Sequence, residues 1–401
     1  MTPTLSVDEY YRRIVDSVRE LPANRVALHH ALGRVAASDV RCRADLPPFD
    51  TAAMDGFAVR ADDVAGASAQ SPARLEVVGQ VRMGRVSNVA VEGGQAVAVP
   101  TGGQVSPGAD AVVPMELCTV DGSMLSVHEP CLKGKNVRLA GEDSCRGELV
   151  VPSGRRLRPT DIGALAAAGA GEVEVAAAPG VGVISTGDEL VPPGRDLRAG
   201  QIYDSNSYLL GALVAQLGAR PVDLGRTSDD PGVLLTALRE ASEQVDVLIC
   251  SGGVSVGSND PVRRAIAEGL QAECVNVAMK PGRPQAFGHV GRTPLIALPG
   301  NPVSALVSFE VFVRPVLHKM MGLVNQDEYH RTVLADSVHG VADRICYVPV
   351  HLHRESGGWV ASCAGMDQPN RLGSLSSANG LVRLPPGTSV SAGECAEVLM
   401  F

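Results

Sequence analysis

No stretch of the chain approaches the run of about 20 apolar residues that a membrane-spanning helix requires, and the opening MTPTLSVDEYYRR lacks a signal peptide's hydrophobic segment. A cytoplasmic location with no membrane partner is therefore expected. An excess of positive charge is missing too: 35 Lys and Arg stand against 44 Asp and Glu, for a net charge of -9. Nucleic-acid-binding surfaces carry Lys and Arg clustered over a whole face, so nucleic acid is not an expected partner, and any anionic ligand has to be met by local groups. There is no CxxC pair, and the nine cysteines (Cys42, Cys118, Cys131, Cys145, Cys250, Cys274, Cys346, Cys363, Cys395) are an odd number for a fully bonded framework. They read as reduced thiols. Neither a GxxxxGK[ST] phosphate loop, a GxGxxG fingerprint nor an HExxH pair occurs, which argues against ordinary P-loop hydrolysis and zinc-protease chemistry. His29-His30 and His351-x-His353 lack Cys or acidic partners at metal spacing and receive no role.

What is present fits several domains, as 401 residues with ample apolar content allow. Ser6 and Glu9 form a capping box, and Ile14 and Val18 fit one face of an amphipathic helix through Arg19. From about Asp45 to Arg138 short Val-rich runs are broken by Gly and Pro, and Asp121-Gly122 between LCTV and SMLSV marks a hairpin. Thr160 in RPTDIGALAAAG reads as the N-cap of a short Ala-rich helix. Helical structure thus flanks a β-rich region on both sides, one arrangement of which is an inserted domain. From Pro179 to Gly322, VGVIS, RPVDLG, VDVLIC, CVNVAM and TPLIAL alternate with helical stretches, which predicts a parallel α/β sheet. Beyond Leu323 the short runs RTVLADSV, YVPVHLH, WVASCA and AEVLMF predict a small all-β module. The expected fold class is α/β plus β, in four parts. A linking helical domain takes residues 1–44 and 141–177, an inserted β-rich domain 45–140, a central α/β domain 178–322, and a C-terminal barrel-like module 323–401.

In the α/β region TGDEL, SGGVSVGSND, KPGRP and PGNP each follow a strand-like run, and ligands of open parallel sheets bind beyond the carboxyl ends of the strands. Ser251-Gly252-Gly253 either makes a tight turn or lets its backbone N–H groups reach a phosphate or oxyanion; Gly257 and Asp260 further on favour the second. Asn301 caps a helix opening at Pro302, whose free amides offer a second anion seat, though capping alone also explains PGNP. Lys280 and Arg283 bracket Pro281-Gly282 and either hold a phosphate between two cations or lie on a solvated turn. Asp188, Glu189, Asp229 and Asp260 are oxygen donors of the kind Mg²⁺ takes beside phosphates, and each alone is also an ordinary cap or surface charge.

Read in order, PPFDTAAMDGFAV (47–59), PTGGQVSPGADAVV (100–113), NVRLAGED (136–143), STGDEL (185–190), SGGVSVGSND (251–260), MKPGRPQAFG (279–288) and LPGNPVSALVSF (298–309) resemble the MoeA family, the molybdopterin molybdenumtransferases. Seven motifs in order cover nearly the whole chain. The resemblance implies a MogA-like central domain and an elongated homodimer with its cleft between subunits. It also implies a Mg²⁺-dependent insertion of molybdate into adenylylated molybdopterin with release of AMP. By motif matching, Asp55 comes from the partner subunit's β domain, Thr101, Arg138 and Asp143 line the facing surface, and Glu189, Asp229, Asp260 and Lys280 serve the α/β side. Asp55, Asp143, Glu189, Asp229, Asp260 and Lys280 are the implied catalytic set, and Glu189 and Asp229 the implied metal ligands. Thr101, Arg138, Ser251, Gly252, Gly253, Arg283, Pro284, Pro299, Asn301, Pro302 and Ser304 are the implied binding set.

The chain departs from the family pattern at three places. Asn276 stands where Lys or Arg is usual, and Pro349 and Pro369 fall where an arginine and a serine are often placed, with Arg344 or Arg371 nearby to compensate. These departures leave open a paralogue preferring another oxyanion such as tungstate. A non-catalytic molybdopterin-binding or scaffold protein is the alternative of a different class. A MogA-like adenylyltransferase and molybdoenzyme chaperones are the expected partners.

Overall fold

The computed structural model describes residues 3–86, 88–254, 260–323, 329–355, 357–364 and 376–401. At its centre lies a seven-stranded sheet in the order Thr4–Leu5, Gln271–Val277, Pro284–Val290, Thr293–Leu298, Val247–Ser251, Gly180–Thr186, Arg220–Thr227. Pairings are parallel except on both sides of Pro284–Val290, so the sheet is mixed where a wholly parallel one was expected. The reason is local. PQAFGHV follows the KPGRP turn directly and returns to Thr293 through Gly291-Arg292, with Gly291 at φ +61. Two residues can join only antiparallel neighbours, since a parallel pair needs a crossover of a dozen or more.

The strands Gly180–Thr186, Val247–Ser251 and Thr293–Leu298 are buried along their full length, as strands covered by helices on both faces must be. Leu210, Leu213 and Val214 of the helix Asn206–Gln216 pack with the helical stretch 302–320 against Val181, Val183, Val247 and Ile249. On the other face the helices Pro231–Ser242 and Pro261–Ala267 pack Leu234, Leu238, Val262 and Ala265 against Ile184, Leu248 and Cys250. Alternate residues of one strand thus feed two cores, which fixes its register.

The opening helix spans Val7–Asp16. Ser6 Oγ accepts from the Glu9 N–H at 3.2 Å while the Glu9 carboxylate accepts from the Ser6 N–H at 2.7 Å, the reciprocal capping box. It stops at Asp16 rather than Arg19, because the Ser17 hydroxyl and N–H both turn back to Ile14 O. Tyr10 and Ile14 are fully buried, the Ile14 side chain worth about 1.5–3 kcal/mol, and Tyr10 meets Phe312 edge-to-face at 4.8 Å. The helix therefore packs on the helical stretch 309–320 beside the central sheet.

Residues 26–40 and 150–175 share one core (Ala31, Ala36, Val151, Leu157, Leu165, Val173, Val175), so the chain leaves this core and returns to it. Between the two passes lies a six-stranded sheet, Ala111–Pro114, Gly56–Val59, Gln95–Val99, Ala73–Gln80, Met124–Val127, Cys118–Asp121. Its last hairpin turns at Gly122-Ser123, with Asp121 opposite Met124, where Asp121-Gly122 marks it. The N-cap of the helix Pro159–Ala167 is Arg158, not Thr160: Pro159 takes the first helical position, and the Arg158 N–H is held by Asp161 Oδ2 at 2.9 Å.

The C-terminal strands close into a five-stranded barrel, Ile345–Glu355, Gly358–Cys363, Tyr329–Leu334, Cys395–Met400, Gly380–Leu384 and back to Ile345–Glu355. Closure removes the edges that such short strands leave open. Met279–Lys280 pairs with Ile345–Cys346, and Arg314 Nη1 bridges Glu310 at 2.8 Å and Met400 O at 2.9 Å, so the barrel is tied to the central domain on two sides.

Candidate active site

Strand Gly180–Thr186 has its sequence successor Arg220–Thr227 on one side and Val247–Ser251 on the other, which makes the gap between Thr186 and Ser251 a topological switch point. A cleft of about 980 Å³ opens there. All four expected loops reach it: Glu189 from TGDEL, Ser251, Gly252, Gly253 and Asp260 from the next, Gly282 and Pro284 from KPGRP, and Pro299, Asn301, Pro302 and Ser304 from LPGNPVS. Asp229 joins them from the end of Arg220–Thr227.

The glycines are there for steric reasons. Gly252 and Gly253 have φ of +93 and +70, and a Cβ would stand 2.7 Å from Thr186 O in the first and 2.8 Å from Pro261 Cγ in the second. Only glycine gives this turn; the Gly252 N–H closes it onto Leu298 O at 3.0 Å, which leaves the Gly253 amide at the cleft without a side chain in the way. Asn301 Oδ1 accepts from the Val303 and Ser304 N–H groups at 3.1 and 3.3 Å, so its side chain caps the helix as expected.

The charge in the cleft is one-sided. Its lining among the described residues holds the carboxylates of Glu189, Asp204, Asp229 and Asp260 and no Lys, Arg or His. Lys280 and Arg283 are exposed and lie outside the lining, Lys280 in the short strand that pairs with the barrel and Arg283 near Asp343 of the barrel, so the two cations are not aimed into the cleft. Arg344 is engaged by Asp343, with contacts of 2.7 and 2.8 Å, and Asn276 sits half-buried opposite Thr4 at the sheet edge. Pro349 lies inside a barrel strand opposite Leu381. Gly257, Pro369 and Arg371 lie outside the described residues.

A second group forms in the β-rich sheet. Asp55 Oδ1 accepts from Thr101 N–H at 2.7 Å and Thr101 Oγ at 2.8 Å, and these bonds, the backbone one first, hold the Asp55 carboxyl below its ordinary range. Arg138 reaches Asp143 at 2.6 Å, and Arg138 pairs with Thr51 on the strand that leads to Asp55. All four side chains are exposed, and none lines the cleft of the same chain.

Comparison with known proteins now decides the family. Residues 5–169 match the MoeA N-terminal region (domain I and II), 182–319 a probable molybdopterin binding domain, and 331–401 the MoeA C-terminal region (domain IV). The chain is 37% identical over 401 residues to molybdopterin molybdenumtransferase 2 of Mycobacterium tuberculosis, covering 98% of each chain. It is 35% identical to the Bacillus subtilis molybdopterin molybdenumtransferase, covering 99% of this chain and 94% of that one. The chain belongs to the MoeA family. A crystal structure of a MoeA protein from Pyrococcus horikoshii superposes with a TM-score of 0.85 at 32% identity, over 99% of both chains. The fold described above is thus the MoeA fold from end to end, and the chain is an enzyme of molybdenum cofactor biosynthesis.

Several lining residues of the MoeA cleft escaped the sequence reading. Asp204 is 1% exposed and accepts from Ser185 Oγ at 3.1 Å, Ser207 Oγ at 2.7 Å and Ser207 N–H at 3.1 Å, with Arg226 at 3.9 Å. Asn206, two residues on, donates from Nδ2 to Ser251 Oγ and Gly300 O. The signal was available: YDSN is a run of capping residues at a helix start, just where a strand-end loop must turn. Gly253-Val254-Ser255-Val256-Gly257 also has the GxSxG spacing of hydrolase elbows. An elbow places its serine directly after the strand, whereas Ser255 stands four residues beyond the strand end at Ser251, and Ser255 and Gly257 lie outside the described residues.

Proposed function

We propose that the chain transfers molybdenum from molybdate into adenylylated molybdopterin with release of AMP, in a Mg²⁺-dependent reaction at the Thr186–Ser251 cleft. The observation that carries this reading is the cleft's charge. The Gly253 backbone amide suits a phosphate, yet the surrounding side chains are four carboxylates without a cation. A polyanion enters such a site only with positive charge brought to it.

Bound Mg²⁺ would supply that charge. Glu189 and Asp229 are the carboxylates that would hold Mg²⁺. Among the described residues no three His, Cys, Asp or Glu side chains converge as a closed metal cage. That fits magnesium, which takes one or two carboxylates and completes its shell with water and substrate phosphates. When bound, the ion offsets charge developing on the phosphate of the leaving AMP. The Asp55, Thr101, Arg138 and Asp143 group, whose one cation is paired with Asp143, is built but lines no part of its own chain's cleft, which motivates a homodimer with the cleft between subunits.

Within that arrangement the turn at Gly253 seats the phosphate, Asp260 closes one wall, and Lys280 and Arg283 stand toward the barrel, where the molybdate oxyanion enters. Asp55, kept ionised by Thr101, orients water or the metal. Purified protein with adenylylated molybdopterin, Mg²⁺ and molybdate is expected to release AMP, and Asp55→Asn and Glu189→Gln each to abolish release while leaving the folded state intact. No AMP above background from the native protein overturns the reading. Competition between molybdate and tungstate in the same assay measures the oxyanion preference that Asn276 and Pro349 bear on.

A further inference from the structure

Three strand-end turns meet at the floor of the cleft, and one buried side chain joins two of them. Asn206 opens the helix Asn206–Gln216 and is 8% exposed. Its Nδ2 donates to Ser251 Oγ at 2.7 Å and to Gly300 O at 2.8 Å, bridging the SGG turn and the PGNP turn. Those turns already touch closely: a Cβ on Gly300 would lie 3.4 Å from Gly252 Cα. The orientation of the amide is not interchangeable, because Gly300 O can only accept, so the nitrogen must face it. Oδ1 consequently ends up buried with no partner among the described residues. A side chain that merely filled space would not hold an unpaired acceptor in this way.

The bridge also sets the direction of the Ser251 hydroxyl. Its oxygen is occupied as an acceptor by Asn206, and no acceptor among the described residues takes its proton. That proton is therefore free to donate into the cleft that Ser251 lines.

We propose that Asn206 is a positioning residue: it fixes the spacing between the Ser251–Gly253 and Pro299–Pro302 turns and turns the Ser251 O–H toward bound ligand. The inference rests on the cleft being the ligand site. Ground-state binding should feel the loss more than the chemical step, since the bridge acts on the seat and not on the reacting atoms.

The test uses the full chain and AMP release from adenylylated molybdopterin. Asn206→Ala is expected to raise KM about tenfold, the scale of one or two hydrogen bonds, with kcat little changed. Asn206→Asp carries the sharper readout. Its carboxylate repels Gly300 O, whereas the protonated acid regains one donor, so its KM should fall toward the native value as pH is lowered. Glu189, Asp204, Asp229 and Asp260 line the same cleft and Arg226 stands beside Asp204; all five are present in the native protein and in both variants, so the difference between profiles isolates position 206. An Asn206→Ala enzyme with native KM, or an Asn206→Asp enzyme that follows the native pH profile, overturns the proposal. Amide exchange at Gly252, Gly253 and Gly300 decides the bridge independently of turnover. Faster exchange in Asn206→Ala at these three positions alone supports it even if the native protein releases no AMP, and unchanged exchange there removes it.

Discussion

Asp55 and His318 show how single groups set the pH behaviour of the chain. Asp55 is exposed, so only the Thr101 bonds depress its carboxyl below the ordinary 3.8. Thr101→Val removes the hydroxyl donor and leaves the N–H, so the Asp55 pKa should rise part of the way back. If Asp55 must be ionised for turnover, the acid limb of the rate profile moves to higher pH in the variant, which a kcat/KM profile reads directly. His318 is the reverse of an exposed carboxylate. Burial first, then Arg314 and Arg156, push its imidazole down from 6.5 to about 4. Its folded pKa lies below the unfolded one, so the unfolded chain takes up the proton first as pH falls. The stability tied to neutral His318 is therefore complete above pH 6.5 and is lost progressively down to pH 4, a change of up to about 3 kcal/mol. Denaturant midpoints measured across that window should show this slope, and His318→Leu should flatten it.

At the scale of elements, the cleft depends on turns that only glycine can make. Gly253→Ala asks an alanine to adopt φ +70 with Cβ 2.8 Å from Pro261 Cγ, a strain of about 1–3 kcal/mol. Activity should fall well beyond what the lowered melting temperature explains, because relief of the clash moves a turn that lines the cleft. An alanine variant with native activity and lowered stability would mean that the turn is only structural. The same elements show what was legible beforehand. Runs such as VDVLIC and TPLIAL are short, apolar and bounded by glycine, so their strands and the convergence of their trailing loops could be read directly. PQAFGHV could not, since alternating small and polar residues after a Pro-Gly turn carry no strong period, and its antiparallel course follows from a turn too short for a crossover. GLVRL, the strand that closes the barrel, was hidden in a serine- and glycine-rich stretch. Asp204 and Asn206 went unnoticed because a capping run at a helix start looks the same whether or not it also lines a cleft. Lys280 and Arg283 were legible as a cationic pair, but their distance from the lining depends on the barrel pairing with Met279–Lys280, a contact between segments about 65 residues apart.

At the scale of the molecule, the proposed division of the site between two chains can be tested without a structure of the assembly. In a symmetric dimer each cleft would combine Glu189 of one chain with Asp55 of the other, and the two clefts would be equivalent. Mixing Asp55→Asn and Glu189→Gln chains in equal amounts and letting subunits exchange would then produce hybrid dimers. One cleft of each hybrid carries both lesions and the other carries neither. With random exchange half the dimers are hybrids and half of their clefts are intact, so activity should return to about one quarter of native from two inactive parents. Should both residues act within one chain, every cleft in the mixture would carry a lesion and no activity would return. The exposed apolar side chains fit the first outcome. Phe49, Met54, Met115 and Leu139 flank the Asp55 group, and Leu197, Ile202, Tyr203 and Tyr208 lie at or beside the cleft's QIYDSN segment. Water-facing residues of this size beside two half-sites are what a second copy would cover, and the regain of activity on mixing measures whether it does.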